Sequence, residues 1–123
     1  MVYEIDGVKI SEEDLDTTFD DLKNISESKF ETYLGVLTIV GVIENADLKK
    51  ITTIYEKVKK FKPDIYIDEK ELSNITSDLI ELGLIKKERD TSYNILPEGK
   101  AVLRKNANEI FAEMEDLITE INK

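Results

Sequence analysis

The sequence predicts a mainly α-helical fold with a small antiparallel β-hairpin. Three observations carry that expectation. Apolar residues recur at three- and four-residue spacing through most of the 123 residues, the period of helices with one buried face. Two short segments alternate instead around turns, Tyr3 to Ile10 about Asp6-Gly7 and Lys86 to Leu96 about Asp90-Thr91-Ser92, as β-hairpins do. The length fits one small domain able to bury a real core.

Composition narrows the function. The chain has no cysteine and no histidine, which removes disulfides, thiolate chemistry, the commonest general base and the usual zinc ligands. Carboxylates abound, but in so acidic a chain a carboxylate pair is usually a solvated helix face. The expectation is a non-enzyme without cofactor or metal. The longest uncharged run, Thr32 to Ile43, is short of the roughly 20 residues that span a bilayer. Met1-Val2-Tyr3-Glu4 lacks the positive start of a signal peptide, so a soluble, cytoplasmic protein with no membrane partner is expected.

The net charge is −10, unfavourable for a polyanionic partner, but it is unevenly spread. Residues 1–43 hold ten acids and three bases, and residues 106–123 hold five acids and one base. Residues 44–105 hold thirteen of the seventeen bases against twelve acids. The acidity belongs to the flanks.

In chain order, the alternation of Tyr3-Glu4-Ile5 and Val8-Lys9-Ile10 about Asp6-Gly7 predicts a hairpin that must pack on something to be stable. Ser11 with Asp14 then starts a helix in the manner of a capping box. It carries an apolar stripe of Leu15, Phe19, Leu22 and Ile25, and its opposite face, with Glu12, Glu13, Asp16 and Asp20, is acidic. The next segment, Lys29 to Ile43, is apolar nearly all round in its second half. Gly35, Gly41 and the β-branched residues favour a strand, whereas length and the polar start favour a helix. Periodicity alone does not decide, and helix is the reading taken forward.

Asn45 or Asp47 caps a third helix to about Phe61, with Leu48, Ile51, Ile54, Tyr55, Val58 and Phe61 inward and Lys49, Lys50, Lys57, Lys59, Lys60 and Lys62 outward. Pro63 stops it. Ile65-Tyr66-Ile67 reads as a short third strand, and Asp68 to Leu82 as an amphipathic helix whose apolar set is Leu72, Ile75, Leu79, Ile80 and Leu82. A charged strand, Lys86 to Arg89, and a returning strand, Tyr93 to Leu96, follow. Pro97 suits a helix's first turn, and that helix is expected to run to about Ile121. Leu103, Ala107, Ile110, Met114, Leu117 and Ile121 follow coiled-coil spacing, widened by Phe111 and Ile118. This seam either packs on the apolar helix at 29–43 or pairs with a second copy. The homodimer is the preferred reading.

The stretch Leu79-Ile80-Glu81-Leu82-Gly83-Leu84-Ile85, followed by Tyr93-Asn94-Ile95-Leu96-Pro97-Glu98-Gly99-Lys100, resembles the recognition helix and wing of winged helix-turn-helix proteins. In MarR-like and PadR-like transcription regulators the corresponding phrase is L-x-x-x-G-L-I … Y-x-L-T-P-E-G-K. The resemblance covers residues 68–105. It implies a winged-helix core at 44–100, with the hairpin and helices of 1–43 packed on it and a dimerisation helix at 101–123. By resemblance, the recognition helix would read bases through Lys70, Ser73, Asn74 and Ser77, and the wing would touch DNA through Lys86, Lys87 and Arg89. Two features depart from the family. Asp68, Glu69, Glu71 and Asp78 put acid on the recognition helix, and Leu96 replaces the threonine that would cap the next helix, so that junction is expected to be packed rather than hydrogen-bonded.

Two functions follow. One is a homodimeric DNA-binding transcription regulator. The alternative is an acidic winged-helix interaction module or inhibitor, DNA-mimicking and viral or plasmid-encoded, that binds a basic protein and no DNA. An apolar effector site near Phe19, Tyr33 and Phe111 is outweighed by ordinary core packing.

Overall fold

A computed structural model describes residues 2–61, 71–106 and 109–122, apart from the side chains of Phe61, Glu109 and Ile110. Over these residues the chain is mainly helical, with two separate two-stranded antiparallel sheets. β1 (Val2–Ile5) pairs with β2 (Val8–Ser11). The tight turn between them requires two residues at positive φ, which Asp6 (54°) and Gly7 (81°) supply. Ser11 then caps α1 (Glu12–Ser26), its Oγ accepting the Asp14 N–H at 3.1 Å. Leu15, Phe19 and Leu22 form the buried stripe.

A short 3₁₀ turn, Glu27–Lys29, leads into α2 (Phe30–Val42). This segment is a helix, as its length and polar start suggest, and Thr32 through Val40 are all buried. A helix buried on every side needs neighbours all round. Here α3 (Leu48–Phe61), α4 (Leu72–Glu81), β4 (Tyr93–Ile95), α5 (Pro97–Lys105) and α6 (Glu109–Ile121) provide them. The polar atoms that come with such burial are paired. Thr38 Oγ1 donates to the Leu34 carbonyl at 2.8 Å, and the Tyr55 hydroxyl donates to the Thr32 carbonyl at 3.2 Å.

Asp47 caps α3 by accepting the Lys50 N–H at 2.7 Å, and Ile51, Ile54, Tyr55 and Val58 are buried. The start of the helix expected from Asp68, and the strand expected at Ile65-Tyr66-Ile67, lie outside the described residues. Another residue pairs with the second hairpin: the Ala46 carbonyl accepts the Tyr93 N–H at 2.8 Å, an antiparallel bridge to β4. α4 ends in a Schellman motif. Gly83 takes φ 77°, its N–H reaches the Ile80 carbonyl, and the Leu84 N–H reaches the Leu79 carbonyl, each at 3.0 Å.

β3 (Ile85–Lys87) pairs with β4, with Lys86 opposite Asn94 and Lys87 opposite Tyr93. The strands are shorter than expected. Glu88 and Arg89 belong to the turn, where the Thr91 N–H donates to the Glu88 carbonyl at 3.1 Å and the Glu88 N–H donates to the Ser92 carbonyl at 2.7 Å. That turn places Thr91 at φ 67°, a conformation costly for a β-branched residue.

The single helix expected from Pro97 to Ile121 is not found. α5 closes at Asn106, and α6 is a separate helix from Glu109. One continuous helix would be roughly 37 Å long against about 20 Å for α2, leaving much of its apolar stripe uncovered. Instead α5 packs on α1, α2 and β1, while α6 packs on α2 and α3. Leu96 caps α5 with no side-chain hydrogen bond, and its N–H donates to the Leu84 carbonyl at 2.9 Å. Gly99 permits this close approach: a Cβ there would lie 2.3 Å from the Leu84 carbonyl oxygen and 2.8 Å from Ile95 Cγ1. Buried residues from 1–43, 44–100 and 101–123 join in one hydrophobic cluster, so the three stretches share a core.

Gly99→Ala is expected to destabilise the chain by about 1–3 kcal/mol through overpacking against backbone, read as a lower midpoint in thermal or urea unfolding. Thr91→Asn, which suits the left-handed region better, is expected to add about 0.5–1 kcal/mol in the same assay.

Candidate nucleic-acid interface

α4 is amphipathic. Leu72, Ile75, Thr76 and Leu79 are buried, and Ser73, Asn74 and Ser77 are exposed on the opposite side. The structure thus brings three of the four expected base-reading residues onto one outward face, while Lys70 lies outside the described residues. The acids on this helix need a correction. Glu71 and Asp78 sit two turns apart on its flank; Asp78 is held by α2 and Glu71 by Lys29, the last residue of the 3₁₀ turn before α2. Asp78 Oδ2 accepts the Tyr33 hydroxyl at 2.6 Å, and Glu71 forms an ion pair with Lys29. Lys29 and Tyr33 are one turn apart, so the two contacts form paired rungs between neighbouring helices. Glu81 stays exposed, and Asp68 and Glu69 are outside the described residues.

Burial, followed by the hydrogen bond to Asp78, holds the Tyr33 phenol well above the usual tyrosine range, and burial does the same for Tyr55. Ile80 is a second correction. Helical spacing counts it with the inward set, yet it is 36% exposed.

On the second hairpin, Lys86 and Lys87 are exposed on β3 and Arg89 is exposed in the turn. Its acids are engaged locally. Glu88 Oε1 lies 3.0 Å from Lys86 Nζ and accepts Asn94 Nδ2 at 3.3 Å, contacts that hold its carboxyl below the ordinary glutamate range. Asp90 Oδ1 accepts the Ser92 hydroxyl at 2.6 Å and the Ser92 N–H at 3.0 Å, which lowers its carboxyl likewise. Lys87 Nζ stands 6.0 Å from the Tyr93 ring centre, at the limit of a cation–π contact. Asn94 and Asn45 exchange two hydrogen bonds, Asn45 N–H to Asn94 Oδ1 at 2.9 Å and Asn94 Nδ2 to Asn45 Oδ1 at 2.8 Å. With the Ala46 bridge, these fix the hairpin to the turn between α2 and α3.

Lys49, Lys50, Lys57, Lys59 and Lys60 are exposed along α3, and Lys62 lies outside the described residues. The expected dimer seam is largely spent within the chain. Phe111, Met114 and Ile118 are core residues, while Leu103, Leu117 and Ile121 are half-buried against that core. Ala107 and the Ile110 side chain are not described. The physical reason is α2, whose all-round burial draws α6 onto it. Phe19, Tyr33 and Phe111, the residues of the possible effector site, are likewise buried in the core.

No helix among the described residues is long and apolar enough to cross a membrane. Compared with known proteins, the chain matches no family model, no curated protein and no solved structure.

The Tyr33–Asp78 and Asn45–Asn94 contacts span 45 and 49 residues, and nothing local in the sequence signals either. Tyr33→Phe is expected to cost about 1–2 kcal/mol, because it leaves a half-buried carboxylate short of a donor. The raised tyrosines also set a pH dependence. In the unfolded chain both phenols ionise near the ordinary value of about 10, while in the fold they stay protonated. Their stabilisation is therefore complete below pH of about 10 and is lost as pH rises beyond it. Urea titrations from neutral pH to about 11 should show this fall, less steeply for Tyr33→Phe.

Proposed function

We propose that the chain is a DNA-binding transcription regulator with a winged-helix core, acting in the cytoplasm as a homodimer without a cofactor. The observation that carries this reading is the outward face of α4, where Ser73, Asn74 and Ser77 are exposed while Glu71 and Asp78 are held by Lys29 and Tyr33. Asparagine can pair with an adenine edge, and serine hydroxyls hydrogen-bond to any base. The element order also supports it: α2, the Ala46 bridge, α3, α4, then the β3–β4 hairpin, the arrangement expected of a winged helix. In this mode α4 enters the major groove, Lys70 completes its reading set, and Lys86, Lys87 and Arg89 on the wing take phosphates or the minor groove. The lysines of α3 flank the duplex backbone. The half-buried Leu103, Leu117 and Ile121 form the contact with the second copy.

A second reading is favoured by the exposed acids of α1, Glu12, Glu13, Asp20 and Asp21. In it the chain is an acidic interaction module whose partner is a basic protein. Capture of such a partner that is lost at high salt, with no binding to duplex DNA, would select it.

The regulator reading expects duplex binding at low salt. Replacing Lys86, Lys87 and Arg89 together with Ala should weaken it by roughly tenfold or more, and should reduce the slope of log K against log salt by about 0.9 per phosphate contact removed. Absence of any shift of duplex DNA at low ionic strength would defeat the proposal.

A further inference from the structure

The fold leaves one large apolar side chain of α4 unexplained. Ile80 is 36% exposed, whereas Leu72, Ile75 and Leu79 on the same helix are 2%, 1% and 0% exposed. Among the described residues the other large apolar side chains so exposed are Val2 and Val8, both on the β1–β2 hairpin. The helix end does not need the Ile80 side chain. The apolar pair that accompanies a Schellman motif is Leu79 with Leu84, both fully buried. Ile80 contributes only its carbonyl there, to the Gly83 N–H.

Its position is specific. At about 100° per residue, Ser73, Ser77 and Ile80 fall on one stripe, with Asn74 beside it, and the whole set occupies an arc of about 120° facing away from the core. An isoleucine among hydrogen-bonding side chains on a solvent-facing stripe is a poor fit to water and a good fit to a surface that mixes polar edges with an apolar point. The major groove offers one such point, the thymine C5-methyl group, the only apolar substituent that the four bases present there.

We infer that Ile80 is a specificity-determining residue that packs on a thymine methyl group, so that the target of this chain contains two separate A·T pairs, one whose adenine is read by Asn74 and another whose thymine is read by Ile80, about 9 Å further along α4. The inference rests on the proposed placement of α4 in the major groove and deepens it by naming the chemistry of the site. Asn74 takes the adenine edge through its amide, and Ile80 takes the methyl of a thymine within reach of the same stripe.

The test uses the full chain and a duplex pool enriched from random sequence by the wild-type protein. The pool is then prepared twice, once with thymine and once with uracil, which removes the methyl and keeps the hydrogen-bonding edges. Wild type should bind the uracil pool about fourfold more weakly, the equivalent of one methyl group returned to water. Ile80→Ser should bind both pools equally; because the side chain is only 36% exposed, its unfolding midpoint should fall modestly, and the comparison is made at a temperature where both proteins are folded. Equal binding of the two pools by wild type would overturn the inference while leaving DNA binding in place. The same discrimination in wild type and in Ile80→Ser would overturn the assignment to this residue. Enrichment of no duplex at all would overturn the inference together with the regulator reading on which it stands.

Discussion

The rest of the structure depends on the burial of α2. Nine consecutive residues, Thr32 to Val40, are shielded from water, which no helix achieves without neighbours on every side. That requirement recruits α3, α4, β4, α5 and α6 to one axis. It also accounts for the break at Asn106, since cover on different sides of a short helix calls for two short helices rather than one long one. Small residues serve the same end. An added Cβ at Gly41 would stand 3.1 Å from Leu103 Cδ1 and 3.2 Å from Ile95 Cδ1, so the absence of a side chain there lets α5 and β4 lie close.

The charge map changes in three dimensions. Along the sequence, acid flanks enclose a more basic middle. In the fold, part of that acid is matched to base. Asp6 accepts Lys100 Nζ at 2.7 Å, Asp16 pairs with Lys105, and Lys29 pairs with Glu71. Exposed pairs of this kind contribute little stability each. Their consequence is for the field: bases on α5 are neutralised by the N-terminal unit, and the acid at the N-cap of α4 is neutralised by the lysine just before α2. The cations of α3 and of the β3–β4 hairpin are exposed, and of these Lys86 is paired locally with Glu88 at 3.0 Å.

What was legible in the sequence is what short-range chemistry decides. Asp6-Gly7 gives the first hairpin, Ser11 and Asp47 cap the helices that follow them, Gly83 ends α4 and Pro97 begins α5. Each depends on residues within a few positions. The apolar run of 30–42 was legible as buried, though not from periodicity as a helix. What escaped depends on distant partners. Asp78 looks like surface acid until Tyr33 is beside it, and Ala46 looks like loop until Tyr93 pairs with it. Ile80 looks like core until the helix is docked and its angle is set by Glu71 and Asp78. The break after Lys105 escaped because the seam's spacing continues unaltered across it, and only the length of α2 forbids one long helix.

The two parts of the proposed DNA surface are both anchored to the same helix, at opposite ends. α4 is fastened near the start of α2, through Lys29 and Tyr33, and the β3–β4 hairpin is fastened just past its end, through Asn45 and Ala46. From Tyr33 to Val42, the last residue of α2, is about 14 Å at helical rise. A helix packed on every side bends little, because bending must displace neighbours at near-crystalline density. α2 therefore works as a spacer that fixes how far the reading face stands from the wing. On the regulator reading, that spacing is a property of the core rather than of the surface residues, which can vary in identity without altering the geometry in which they are presented.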